Sequence, residues 1–246
     1  MLSLSFGASG VYAVVRIIER VTRETALSSQ QAHINVPLAD RPVFDLIFQL
    51  LGVVFGLAPV ALVIFLLWRD PTPHLAHLGL GTPPAAPQEG VRRWIRESGV
   101  GFALAAVIGI PGIGLYVVSK SLGFNTTVVP AALDAHWWTV PVLVLLAFKA
   151  AVSEELIVVA YLFDRFKRLG LGVVGTSVAS ALLRGSYHLY QGFGGFIGNV
   201  AMGFVFAWVY QRYGRSLPLI IAHWILDIVS FVGYPLAVAL WPGVFR

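Results

Sequence analysis

Long apolar runs recur along the chain, and each is closed by a polar or basic stretch. A membrane-spanning helix needs roughly 20 apolar residues. On that measure the spacing predicts spans over about 43–68, 99–118, 137–163, 173–190, 196–211 and 218–232, with a last apolar piece at 236–245. Pro59 and Pro111-Gly112 are expected to kink their helices, and Asp45 is expected at an interface. Residues 1–24 are mildly apolar and then basic, with Arg16, Arg20 and Arg23 on one helical face. That pattern reads as an interfacial amphipathic helix, and 25–42 reads as a loop. Arg92, Arg93 and Arg96 of the polar loop 69–98 are expected on a short helix that leads into the membrane, and His74 and His77 in this loop read as surface residues. Gln191-Gly192-Phe193-Gly194-Gly195 reads as a tight turn, and Gly194, Gly198 and Gly203 give the next helix a small-residue face for close packing. The expected organisation is an N-terminal interfacial region at 1–42, a first span with its basic loop at 43–98, and a helical core at 99–246. The fold class is all-α: a polytopic bundle of about six to eight helices around a polar cavity.

Composition agrees with that pattern. The chain is 57% hydrophobic and 12% charged, with a mean hydropathy of +0.79, which leaves too little polar surface for a soluble domain. The net charge of +5 does not point to nucleic acid, because the arginines and lysines sit between the apolar segments. Alternating the spans puts the basic loops 69–98, 164–168 and 212–215 on one side, the cytoplasmic one, and 119–136 and 191–195 on the other. The basic N-terminal region falls on the wrong side of this count unless it re-enters or adds a span. Met1 to Val15 lacks a basic start, so no cleavable leader is expected. The tryptophans, among them Trp137, Trp138 and Trp241, suit interfacial belts. There is no cysteine, which excludes disulfides, thiolate metal sites and thiol nucleophiles.

The candidate chemistry centres on Glu154-Glu155, two adjacent carboxylates inside an apolar run. One charge at the centre of a spanning helix costs roughly 2.5–3.5 kcal/mol, so a pair needs partners or a task. At 1.5 Å per residue, Glu154, Arg184, His188, His223 and Asp227 all fall about 12–20 Å from the basic side. Arg184 with His188 and His223 with Asp227 are each four residues apart, so each pair shares a helix face. Three helices could thus converge on one intramembrane cavity. A carboxylate beside a histidine can deprotonate water, and a second histidine can donate to an oxyanion. Two histidines with carboxylates also suit zinc, with Glu154, His188 and His223 as its ligands if a metal is held. Neither His-Glu-x-x-His nor Gly-x-Ser-x-Gly occurs. Asn199 reads as a packing residue that bonds between helices, or as a substrate contact; Lys149 is left unassigned. Intramembrane carboxylates and histidines also serve proton-coupled transport, which stands as an alternative.

The motifs resemble those of the CPBP family of intramembrane proteases, which includes the type II CAAX prenyl endopeptidases and bacterial immunity-associated relatives. The family pattern is Glu-Glu-x-x-x-Arg, Phe-x-x-x-His and His-x-x-x-Asn or Asp. Glu154-Glu155, Arg184 to His188 and His223 to Asp227 stand in those places, and the resemblance covers about 100–232. It implies a multi-pass protein of the cell membrane that cleaves a peptide or membrane-protein substrate, including a prenylated one. It implies Glu154 as general base with His188 orienting the water, Glu155 as the second acid, and His223 with Asp227 on the oxyanion side. No cofactor is favoured, although zinc is an alternative. Val159 replaces the first motif's arginine and Arg184 replaces the second motif's phenylalanine. The expectation is that Arg184 supplies, from the next helix, the charge that Val159 lacks, by pairing with Glu155. A catalytically silent binding or immunity protein on the same scaffold is the other reading of these departures.

Overall fold

The computed structural model describes residues 6–67, 75, 78, 80, 87–131, 133 and 135–240. His74, His77, Trp68 and Trp241, with the readings attached to them, lie outside the described residues. The described chain is an all-α bundle. Its helices are α1 (Phe6–Val21), α2 (Pro42–Gly56), α3 (Ala58–Leu66), α4 (Pro87–Ser121), α5 (Thr139–Glu154), α6 (Leu162–Arg168), α7 (Val173–His188), α8 (Phe193–Tyr213), α9 (Leu217–Ile228) and α10 (Tyr234–Leu240). Among the described residues, four stretches are long and apolar enough to cross a membrane: Pro42–Leu66, Glu89–Ser121, Phe193–Tyr213 and Leu217–Leu236. Their outer faces expose Phe55, Phe65, Ile110 and Trp208, a surface suited to lipid. The shorter helices α5 and α7, of 16 residues each, carry Glu154, Arg184 and His188 and turn them inward.

The stretch from Thr139 to Arg168 holds the bundle together. It runs through α5, a π-helical segment Glu155–Tyr161, and α6. Its residues enter all three apolar clusters: Val142 and Ala147 with Val53 and Phe231; Ala151, Leu156 and Ile157 with Val60 and Ile220; and Val159 with Phe206 and Leu219. Burial at every position from Ser153 to Ala160 explains why the middle of this segment reads as a continuous apolar run.

Several local expectations change. The span at 43–68 is two helices broken at Leu57, because Pro59 in the first turn of α3 has no N–H with which to continue α2. Asp45 is buried rather than interfacial, and it accepts from Leu38 N–H at 2.7 Å and Gln49 Nε2 at 3.2 Å. Arg92, Arg93 and Arg96 are not on a separate short helix. They open the 35-residue α4, which runs unbroken through Pro111. Trp137 is exposed, whereas Trp138 is a core residue. Residues 25–42 and 119–136 are not simple loops, because they contribute β1 (Gln31–Asn35) and β2 (Thr127–Ala131), paired in parallel with Ala32 opposite Val128. Two short strands this far apart in sequence give no helical or hairpin signal.

The N-terminal helix packs into the bundle and keeps its basic end on the side that the span count gives it, against the positive-inside pattern. Gly10 of α1 lies against Ser186 of α7, and the Phe6 and Tyr187 rings are 5.0 Å apart. From there α1 runs outward, and Arg20 and Arg23 border a cleft with Gly123, Phe124 and Phe193, beside the uncharged turn. The helix therefore enters the bundle partway, and its basic end sits opposite the basic loops.

The expected small-residue contact is present. A Cβ on Gly203 of α8 would lie 2.7 Å from Ala181 Cα of α7, and one on Gly185 would lie 2.4 Å from Val200 Cγ2. Backbone cannot yield as a side chain end can. Gly203→Ala is expected to lower stability by about 1–3 kcal/mol through forced separation of α7 and α8, read as a lower unfolding midpoint in detergent.

Candidate active site

Glu154 closes α5 and Glu155 opens the π segment. A π turn holds one residue more than an α turn and is common at functional sites. The local irregularity is supported from α7, where Ser180 Oγ donates to Val158 O at 2.8 Å. A second π segment, Val229–Gly233, directly follows Asp227 and α9.

Arg184 of α7 stands at the centre of the cluster and is completely buried. Its Nη2 donates to Glu155 Oε1 at 2.7 Å and its Nη1 to Glu154 Oε2 at 3.3 Å. The pairing expected from the missing motif arginine is therefore present, and it extends to both acids. Phe206 lies beside the guanidinium, with the ring centroid 5.3 Å from Cζ. Glu155 Oε1 also accepts from His223 Nδ1 at 2.7 Å, and His223 Nε2 lies 3.5 Å from Asp227 Oδ2. His188 turns Nδ1 toward Arg184 O at 3.0 Å, which leaves Nε2 for other use. A carbonyl only accepts, so that bond fixes the proton on Nδ1.

The two acids differ in their surroundings. Glu155 is fully buried behind the cavity. Glu154 lines a cavity of about 600 Å³, together with His188, His223, Asp227, Asn199 and Tyr187. Tyr187 donates its hydroxyl to Glu154 Oε2 at 2.7 Å. Tyr187 and Arg184 thus both hold Oε2, and no described group bonds Oε1. Sequence reading missed Tyr187, although its place three residues after Arg184 puts it on the same helix face. It also missed α1 as a cavity wall, through Phe6, Tyr12, Ala13 and Arg16. Asn199 lines the cavity, but its Nδ2 donates to Gly195 O of its own helix at 2.9 Å and not across to a neighbour. Lys149 lies outside the cavity lining, with its stem against Gly56.

The donors do not fit a divalent ion well. Glu154, Glu155 and His223 bring ligand atoms within 4.8 Å of one another, and His188 is not in that group. Within the group, Glu155 Oε1 already accepts from both Arg184 and His223. A dication there would also face the guanidinium that neutralises the acids.

Residues 136–229 match the model of a family described as Type II CAAX prenyl endopeptidase Rce1-like. No curated protein and no solved structure gives a significant match. The matched segment runs from His136 to Val229 and contains Glu154, Glu155, Arg184, Tyr187, His188, His223 and Asp227. With the motifs in order on α5, α7 and α9, and a membrane-helix bundle holding them around one cavity, the match over this segment supports membership of the CPBP family of CAAX-type intramembrane proteases.

Proposed function

We propose that the protein is an endopeptidase that hydrolyses a peptide bond at the membrane with water activated by Glu154. The observation that carries this reading is the asymmetry of the Glu154 carboxylate: Tyr187 and Arg184 hold Oε2, while the residue lines a cavity shared with two histidines. Water at Oε1 loses its proton to Glu154 as its oxygen attacks the peptide carbonyl carbon. His188, presenting Nε2, orients that water. His223 is held by Glu155 through Nδ1, and as the doubly protonated ring, beside Asp227, it presents Nε2–H as the donor to the oxyanion. Collapse of the tetrahedral intermediate breaks the C–N bond, and the proton on Glu154 passes to the leaving amine. In this scheme Glu155 and Arg184 set charge and orientation without touching substrate.

The test is cleavage of a peptide library by purified protein, compared with Glu154→Ala and His188→Ala. Loss of cleavage in both variants is expected, and unimpaired cleavage by either would remove its residue from the mechanism. The scheme needs no metal, so a chelator is expected to leave turnover unchanged. A chelator-sensitive enzyme restored by zinc would overturn the metal-free route.

A further inference from the structure

The small sheet sits over the cavity, with Ile34 of β1 and Val128 of β2 both lining it. The parallel register, with Thr127 N–H donating to Gln30 O at 2.9 Å, turns the even-numbered residues of β1 toward β2. The odd-numbered residues of β1 and the even-numbered residues of β2 therefore point their backbone groups to the outer edges. The outer edge of β2 offers an incoming strand no free N–H, because Val128 N–H donates to Tyr116 OH and Pro130 has none. On β1, Gln31 O accepts from Arg20 at 3.0 Å, but the His33 N–H and C=O have no described partner. Arg20 reaches this edge from α1, so the open edge faces α1. The cavity reaches the same place, with Tyr12 and Arg16 of α1 and Ile34 of β1 among its lining.

We infer that the slot between α1 and β1 is the substrate entry, and that an extended peptide substrate enters it as a third strand paired with the outer edge of β1 at His33. This rests on the endopeptidase reading. An extended backbone is the form in which a peptide bond is open to attack by water, and added strands are a recurrent mode of peptide recognition. A two-stranded sheet is marginal alone, and a third strand completes it. The backbone bonds would position any sequence, leaving selectivity to side chains in the cavity.

His33→Pro removes the N–H at this edge. Proline is tolerated on an edge strand where the N–H points outward, so the variant is expected to fold. With a peptide that the wild-type protein cleaves, His33→Pro is expected to raise KM about tenfold with little change in kcat, the scale of one or two backbone hydrogen bonds. In the Glu154→Gln variant, adding the same peptide is expected to slow hydrogen exchange of the His33 amide. Cleavage by the wild type with no protection at His33, or an unchanged KM in well-folded His33→Pro, overturns the edge pairing and leaves the endopeptidase reading in place. A wild-type protein that cleaves nothing in the library overturns both.

Discussion

Arg184→Ala is expected to destabilise the protein by about 3–5 kcal/mol, because it leaves two buried carboxylates without their counter-charge. Arg184 is fully buried and bonds both Glu154 and Glu155, and Glu155 in turn holds His223. Its removal therefore disturbs acids on α5 and the π segment and the imidazole on α9 together. Adding Val159→Arg to this variant is expected to restore part of the loss. Val159 is buried next to Phe206, whose ring already borders the guanidinium, so the volume freed by Arg184→Ala lies close to the new side chain. Recovery should be incomplete, because the replacement charge comes from the same helical segment as Glu155 instead of bridging from α7. Unfolding midpoints in detergent for the two variants and the wild type decide the matter. An Arg184→Ala protein of native stability and full activity, with no gain from Val159→Arg, would mean that the acids are balanced some other way.

This exchange of one arginine position for another shows which parts of the site can be read from sequence. Glu154-Glu155, Arg184, His188, His223 and Asp227 stand out because ionisable groups in apolar helices are costly, and their i,i+4 spacing fixes a shared face. The pairing of Arg184 with Glu155 follows from charge balance together with the motif arginine that Val159 replaces. Tyr187 does not stand out in the same way, because a tyrosine in an apolar helix is ordinary and only its 2.7 Å bond to Glu154 marks it. The two strands are also hidden. Each is five residues long, and they lie some 90 residues apart, so neither carries a periodic signal, and their pairing depends on tertiary contacts. The position of α1 is concealed for a related reason. Its apolar residues can suit a membrane surface or a neighbouring helix, and it takes tertiary contacts, Gly10 against Ser186 and Phe6 against Tyr187, to seat it on α7.

Glu154→Gln is expected to lower kcat by about 10²–10⁴, the usual contribution of a general base, while leaving stability nearly unchanged. The amide keeps an oxygen that can accept from Tyr187 and Arg184, so the local bonds survive while the proton acceptor is lost. Glu155→Gln should behave differently. Glu155 does not line the cavity, and it joins Arg184 to His223, so neutralising it should reduce stability together with activity. Tyr187→Phe should fall between these two, losing about tenfold in kcat as Oε2 loses one charge-assisted bond. Turnover and unfolding midpoints measured on all three variants separate a proton acceptor from an ion-pair partner. If Glu154→Gln turned over substrate as fast as the wild type, Asp227 would become the candidate base, since it is the other carboxylate that lines the cavity beside His223.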